Sequence, residues 1–378
     1  MNDPISTTAT YQVPLNGEGT YTAELTLVDD AGALVTATAS TTLQANRAPT
    51  GLTIAADPAV VLRAGVTVAS KLTVTAVDPD SDGELRYQWE FVTIPPGAQS
   101  SELTGTGARV ASFAPSRPGV VSGASDYVIK VTVTDAQGLT ASTTISQRPK
   151  YLKALTPSGN CDVYLSLVDG SEMVQPYPGA GFAIDRTEVS NRQYGAYRGV
   201  VSGIAAPLST ASGFQSELQP VLVSTYEEAR KYAEWAGKQI PTEAEWLSAA
   251  WGTAVSNVDA VPPSAYPWGN ESPGPDPLRA HYSTEALPRT VTTEVSSTGL
   301  YLLGRTATGI WHLAGNAAEW TETAVSGRRC VRGGSYLDGP LYLQNSIYGR
   351  LPVTEPVGAS RPSIGFRCKI VNPSSVAR

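Results

Sequence analysis

The chain has 378 residues, a formal net charge of −7 and a pI near 5.0. This acidic balance argues against nucleic-acid binding, which needs a basic surface to neutralise phosphates. With 41% hydrophobic and 16% charged residues and no apolar run of membrane-spanning length, the chain is predicted to be soluble, without membrane insertion, and to form two or three domains. Its first residues lack the regions of a signal peptide, so either the protein is not exported in this way or residues have been trimmed.

Side chains that oxidise or degrade easily are few: there are 3 Cys and 2 Met, beside 28 Pro. This composition fits a thermophile, in which rigid loops and few labile residues are common. GC-rich coding would favour Pro in the same way.

The first 149 residues are predicted to be β-structure. Apolar and polar residues alternate there in runs separated by Asp, Gly and Pro turns, which is typical of an immunoglobulin-like sandwich. Residues 21–32 parallel residues 127–138, and each stretch continues into a strand of Thr, Ser and Ala. The region therefore contains an internal repeat. The clearest alternating runs are residues 72–77, 86–91 and 127–134.

Residues 47–149 resemble a bacterial immunoglobulin-like domain of the PKD type. The resemblance rests on Asn-Arg-Ala-Pro at 46–49, Asp-Pro-Asp-Ser-Asp at 78–82, and Trp89. Residues 1–46 resemble only the closing strands of a second copy, either a partial repeat or a hairpin. Since a lone hairpin is marginal in water, we expect it to pack on a neighbour or to belong to a truncated domain.

Three carboxylates in this region could bind a cation. Asp78, Asp80 and Asp82 are close enough in sequence to ligate Ca²⁺. A solvated turn is the favoured interpretation, because Asp-Pro and Asp-Gly are common turn sequences. No other cofactor is predicted.

Helix signals begin in the C-terminal domain, residues 150–378. Ser190 is predicted to cap a first helix with Tyr194 and Tyr197 on one face. Residues 224–227 form a capping box for a helix that Gly237 ends, and residues 242–245 form one for a helix that Gly252 ends. The rest is loop-rich with short strands, so the predicted domain is α+β.

Five motifs in this domain resemble the formylglycine-generating enzyme (sulfatase-modifying factor) family, a branch of the C-type-lectin-like fold. The resemblance covers roughly residues 180–371. It implies a multidomain protein in which an all-β N-terminal sandwich precedes a C-type-lectin-like domain. The family pattern I-D-x-T-E-V-T matches residues 184–190, A-G-K-R-L-P-T-E-A-E-W matches 236–246, G-N-V-W-E-W appears as Gly-Asn-Ala-Ala-Glu-Trp at 315–320, R-V-x-R-G-G-S-W/Y matches 329–336, and G-F-R matches 365–367.

The resemblance also implies a chemistry that this chain does not match. The namesake enzyme oxidises a substrate cysteine with copper held by two cysteines. When Arg350 is aligned with the last Arg of the family segment, Tyr342 and Ile347 or close neighbours stand at the thiol positions. Without thiolates there is no soft Cu(I) site. We therefore predict the fold without the activity: no catalytic residues, no bound metal and no enzyme.

The cysteines and histidines that are present lie elsewhere. Cys330 and Cys368 either form a disulfide across the sheet or remain two buried thiols, and Cys161 has no evident partner. The two His, His281 and His312, are too few for the iron triad of related proteins. His312 is interpreted as a loop hydrogen-bonding residue rather than a base.

The motif at 315–320 has two interpretations. Glu319 could act as a general acid, but in proteins resembling this one the motif is a buried scaffold, and that interpretation is favoured. The less favoured alternative is that the region of Asn316 resembles a family Ca²⁺ site.

Residues 335–349 resemble a recognition surface. They mix Tyr, Ser, Gly and Asn with Leu and Ile, as antibody paratopes do. The alternative is a loop that folds onto its own core. The predicted ligand-binding residues are Tyr336, Leu337, Asp338, Leu341, Tyr342, Leu343, Asn345, Ile347 and Tyr348.

The same segment resembles the variable proteins of diversity-generating retroelements, which use this lectin-like fold. Mutagenesis there acts on adenines, typically in AAC codons, which cannot yield Lys, Glu, Gln, Met or Trp. Among residues 335–349, only Gln344 falls outside the reachable set. The resemblance implies a diversified binding protein, presented by the immunoglobulin-like modules on a phage tail tip or a bacterial cell surface.

The predicted function is therefore binding of a protein or cell-surface ligand whose identity the sequence does not give. Oligomerisation would add avidity. Two alternatives remain: an oxidase or modifying enzyme of the formylglycine-generating type with altered chemistry, and a structural surface or virion protein.

Overall fold

The computed structural model describes residues 19–28, 31–57, 61–63, 66–81, 83–94, 100–115, 127–147, 151–208, 213, 216–273, 278–284, 289, 291–295, 301–354 and 362–375. Up to residue 147 the elements are strands and one short 3-10 turn. The strands are β1 (Gly19–Val28), β2 (Leu34–Leu43), β3 (Thr50–Asp57), β4 (Val61–Arg63), β5 (Val66–Val68), β6 (Ser70–Val77), β7 (Arg86–Thr93), β8 (Leu103–Thr104), β9 (Val110–Phe113), β10 (Tyr127–Thr134) and β11 (Thr140–Gln147).

Two sheets of this region face each other across an apolar core. One has the order β11-β10-β7 and the other β3-β6-β9-β8. The predicted alternation is confirmed in β10, where Tyr127, Ile129, Val131 and Val133 are all buried. Because successive strand side chains point to opposite faces, these four form one wall of the core, and Phe113 of β9 packs edge-on against Tyr127 at 4.8 Å between ring centroids.

The hairpin β1–β2 repeats the pairing of β10–β11 residue for residue. Leu27 pairs with Val35 as Val133 pairs with Ala141. The environments differ, however. Leu27 is 59% exposed, whereas its counterpart Val133 is 0% exposed. Among the described residues, nothing covers the apolar face of the hairpin.

The predicted acidic cluster is a turn in the described residues. Asp78 accepts a hydrogen bond from the backbone N–H of Asp80 at 3.0 Å. Asp80 in turn accepts one from the N–H of Arg47 at 2.5 Å and lies 3.5 Å from its guanidinium. Asp82 lies outside the described residues. Asp78 is thus engaged within the turn, and Asp80 joins the turn to Arg47.

From residue 151 onward the fold is mixed. Its two sheets have the orders β12-β13-β14-β15-β20 and β18-β17-β16-β19, the pair β16–β19 being parallel. The strands are β12 (Leu152–Ala154), β13 (Val163–Ser166), β14 (Glu172–Val174), β15 (Phe182–Asp185), β16 (Ala318–Val325), β17 (Arg328–Arg332), β18 (Leu351–Val353), β19 (Ile364–Gly365) and β20 (Lys369–Val371), and the helices are α1 (Asn191–Val200), α2 (Tyr226–Trp235) and α3 (Glu243–Trp251).

Capping boxes start all three helices. Ser190 and Thr242 are the caps predicted for α1 and α3, and Gly252 ends α3 in the left-handed conformation. The predicted start of α2 is one residue too early, because Thr225 and Glu228 form the box. The spacing pattern fits both registers, and only backbone geometry distinguishes them.

A buried ion pair joins β16 to the segment between β19 and β20. Arg367 donates two hydrogen bonds to the carboxylate of Glu319, at 2.7 and 2.6 Å, and one to each backbone carbonyl of Asp185 and Trp311. Trp246 of α3 donates to the same carboxylate at 2.7 Å. Glu319 therefore has a structural role, as the favoured interpretation predicts.

A second buried cluster surrounds Lys238. Its ammonium donates to Asp169 at 2.7 Å and to Asp185 at 2.9 Å, and all three side chains are shielded from solvent. Tyr232 of α2 donates to Asp169 at 2.8 Å. The cluster thus ties α2 to the first sheet.

Glu188 lies beside the Arg367 pair without a cation of its own. It is 1% exposed, and its Oε1 accepts a hydrogen bond from Asn316 at 3.0 Å. Burial, and then the negative charge of Glu319, raises the pKa of Glu188 to about 8. The carboxyl is therefore largely protonated below that pH.

We predict that the amides of β1–β2 exchange with deuterium at least about 100-fold faster than those of β10–β11, because exchange protection follows burial and packing. Hydrogen exchange with mass spectrometry of the intact chain compares the two hairpins in one sample. Equal protection would mean that the face of β1–β2 is covered.

We also predict that Glu188 makes the domain less stable as pH rises. Folding raises the pKa of Glu188 from its ordinary value of 4.5 to about 8. The contribution of Glu188 to the free energy of unfolding is therefore complete below about pH 4.5 and is lost as pH rises through about 8. Thermal unfolding from pH 5 to 8 should show wild type losing up to about 1.4 kcal/mol per pH unit relative to Glu188→Gln. Glu172→Gln, at a half-exposed carboxylate, is the control; parallel curves for wild type and Glu188→Gln would contradict the prediction.

Candidate functional site

The segment after β17 leaves the sheet at two glycines. Gly334 has φ +65°, and a Cβ there would lie 2.9 Å from the carbonyl oxygen of Tyr342. Strand β17 accordingly ends at Arg332, within the motif at 329–336. The segment then passes through short 3-10 turns at Pro340–Leu343 and Ile347–Gly349 before reaching β18.

The segment is fixed from beneath by a buried carboxylate. Glu243 of α3 accepts a hydrogen bond from Arg332 at 2.8 Å and from Arg350 at 2.6 Å. Arg332 also donates to the carbonyl of Ser346 at 2.7 Å. Arg332 and Arg350, at the two ends of the segment, are thereby held to α3, and Ser346 is held to α3 through Arg332. The sequence did not reveal this arrangement.

Four of the nine predicted ligand-binding residues are buried and support the segment itself. Tyr336 donates from its hydroxyl to the carbonyl of Pro362 at 2.9 Å. Asp338 accepts from Ser335 at 2.6 Å, Asn345 donates to the carbonyl of Ser264 at 3.2 Å, and Leu343 is 1% exposed. Leu337 is half-buried.

The other four predicted residues are exposed. Leu341 is 47%, Tyr342 40%, Ile347 58% and Tyr348 60% exposed. We call these four side chains the contact surface. They come from the two 3-10 turns, whose backbones the buried residues hold in place.

A cavity of about 330 Å³ adjoins Tyr342. Each strand of the second sheet contributes to its lining: Ala318 from β16, Val331 from β17, Leu351 to Val353 from β18, and Ile364 from β19, joined by Asp338, Tyr342 and Ser363. The lining is mainly aliphatic. Tyr342 belongs both to the contact surface and to the cavity.

The thiols do not provide a copper site. Cys161, Cys330 and Cys368 are free and buried, so the disulfide alternative does not hold. Burial raises the pKa of each thiol. The described residues contain no cluster of three His, Cys, Asp or Glu placed to hold a metal ion.

The histidines and Asn316 are enclosed in the domain. His281 bonds to the hydroxyl of Tyr301 at 2.9 Å and to the carbonyl of Val291 at 2.8 Å. Burial, reinforced by Arg367, lowers the pKa of His312 to about 3, which keeps it neutral. Asn316 bonds Glu188 through its amide nitrogen and the N–H of Thr293 through its oxygen.

The described part of the C-terminal domain has two small sheets, three helices and long loops, and the domain has a C-type-lectin-like fold. The family model for the sulfatase-modifying factor enzyme 1-like domain matches residues 146–371. The chain belongs to this family, and the resemblance seen in its motifs is confirmed.

Curated relatives include proteins with enzyme names. The inactive C-alpha-formylglycine-generating enzyme 2 of Bos taurus is 30% identical over 43% of this chain and 54% of that protein. The formylglycine-generating enzyme of Streptomyces coelicolor is 29% identical over 39% and 52%, and the hercynine oxygenase of Mycolicibacterium thermoresistibile is 35% identical over 28% and 21%. The chain spans about half the length of the formylglycine-generating relatives that it matches.

Among solved structures, the PKD1 domain of Vibrio anguillarum Epp is similar at 22% identity. The match covers 28% of this chain and 95% of that domain, with a TM-score of 0.18.

Within the described residues, no helix has the length and apolarity to cross a membrane.

The relatives correct one prediction. The absence of the copper thiols led us to predict that the protein is not an enzyme, but relatives named formylglycine-generating enzyme and hercynine oxygenase place the domain in an enzymatic family. The prediction was wrong because missing thiols argue against one metal chemistry, whereas this fold is used by oxygenases as well.

We predict that Gly334→Val and Tyr342→Ser differ sharply in stability. The valine would be strained at a positive φ and would collide with the backbone at Tyr342, which should lower the free energy of unfolding by at least about 3 kcal/mol. Tyr342→Ser changes a partly exposed side chain and should cost within about 1 kcal/mol. Thermal unfolding followed by circular dichroism compares them; similar losses would mean that Tyr342 belongs to the core.

Proposed function

We propose that the C-terminal domain is the substrate-binding part of a protein-modifying enzyme and that it holds a polypeptide against the contact surface. The observation that carries this proposal is the pairing of four exposed apolar or aromatic side chains with an adjoining cavity. Such exposed groups on a rigid support mark binding sites. The resemblance to formylglycine-generating enzymes, which act on a cysteine of their substrate, supports a polypeptide ligand.

The chemistry of the proposed enzyme differs from that of thiol-held copper. Cys330 and Cys368, the cysteines near the site in sequence, are buried as neutral thiols. The residues present therefore do not fit Cu(I), and the proposal assigns no step to a copper ion.

The second candidate is a diversified receptor-binding protein. It is favoured by the exposure of Leu341, Tyr342, Ile347 and Tyr348, all residue types that adenine mutagenesis can produce. Variation at these positions would alter ligand choice without disturbing the buried supports. In this candidate the ligand is bound and released unchanged.

Selection from a displayed library of random dodecapeptides on the immobilised full chain tests binding. We expect enriched peptides to bind the double variant Tyr342→Ser, Tyr348→Ser at least about tenfold more weakly, since interface aromatics carry much of the binding energy. Val261→Ser removes a side chain that is 91% exposed elsewhere in the same domain, and it should bind normally.

Incubation of an enriched cysteine-containing peptide with the chain in air, with and without copper or iron salts, then separates the two candidates. A mass change in the peptide that depends on the chain supports the enzyme. Binding without modification supports the receptor. Failure to enrich any peptide contradicts both.

A further inference from the structure

One position of the family motifs is altered beside the cavity. The pattern G-N-V-W-E-W appears as Gly-Asn-Ala-Ala-Glu-Trp at 315–320, so Ala318 stands where the pattern has its first Trp. The register is secure because the neighbouring Glu319 makes the buried bonds to Arg367 and Trp246. Ala317 also differs from the pattern, which has Val there, but of the two residues only Ala318 is among the described residues that line the cavity.

Strand alternation places the side chain of Ala318 toward the cavity. Glu319 faces α3, so Ala318 faces the opposite side of β16. There it clusters with Val331 and Ile364, which also line the cavity. The methyl group of Ala318 therefore forms part of the cavity wall, where the family pattern has a larger indole.

We propose that the cavity over Ala318 receives one large apolar side chain of the bound polypeptide, such as Trp, Phe, Met or Leu. The inference rests on the proposed function and specifies its substrate class. A volume of about 330 Å³ lies at the lower limit for ligand pockets and suits one side chain rather than a larger molecule.

The lining also determines which peptide residues would lie next to the inserted side chain. Its walls are aliphatic, and among the described residues that line it Asp338 alone carries a charge. A carboxylate disfavours an acidic neighbour and favours N–H or cationic donors next to the anchor. Tyr342 connects the cavity to the contact surface, so an inserted side chain would bring the flanking peptide against Leu341 and Tyr342.

Substitution Ala318→Trp tests the inference, because it fills the cavity with the side chain of the family pattern. Filling should weaken binding of the enriched dodecapeptides about 10- to 100-fold, the effect expected for losing burial of one large side chain. Ala254→Trp adds the same indole at an exposed position of the domain and should bind like wild type. If Ala318→Trp does not fold, Val353→Phe fills the cavity from its partly exposed edge.

A second readout does not need a selected peptide. Saturation-transfer NMR with N-acetyltryptophanamide should detect binding to wild type and to Ala254→Trp but not to Ala318→Trp. Enriched peptides that share an apolar position and lose affinity on Ala318→Trp support the inference. Equal affinity for both proteins overturns it and leaves the proposed function standing, whereas absence of both peptide and amide binding to wild type overturns the two together.

Discussion

The buried pair of Arg367 and Glu319 is the interaction on which the C-terminal domain depends. Two hydrogen bonds join the charges directly, and two backbone carbonyls and the indole of Trp246 satisfy what remains. Burying such a pair gains little net stability, but removing either charge would leave the other unpaired in the interior. The pair therefore fixes which segments meet: α3, the strand β16 and the chain end before β20 have one mutual arrangement.

This arrangement separates support from contact at the candidate site. Glu243, on the same helix as Trp246, holds Arg332 and Arg350, so the segment between them is anchored at both ends by the core. Within the segment, buried Tyr336 and Asn345 bond to neighbouring loops. Only the tips of the two 3-10 turns remain exposed. For the proposed polypeptide ligand, the ordered backbone beneath them would lower the entropic cost of binding.

Local features of the fold could be predicted from the sequence, and long-range ones could not. The caps at Ser190 and Thr242 depend on residues three positions apart, and they were found. The bond of Lys238 to Asp169 spans 69 residues, and no periodicity records it. Within 335–349 the composition identified a polar and aromatic segment, but it could not separate buried Tyr336 from exposed Tyr348, since 3-10 turns have no simple repeat of burial.

The enzymatic family and the altered site are compatible on physical grounds. Residues of the family motifs form two buried ion pairs, Arg367 with Glu319 and Lys238 with Asp185. These pairs specify a fold rather than a reaction. Side chains on the other face of β16, such as Ala318, carry no part of that network. Ala318 lines the cavity with its methyl group, while its backbone N–H donates to the carbonyl of Ser363 at 2.9 Å. Chemistry and ligand choice can therefore diverge on this scaffold without loss of the fold.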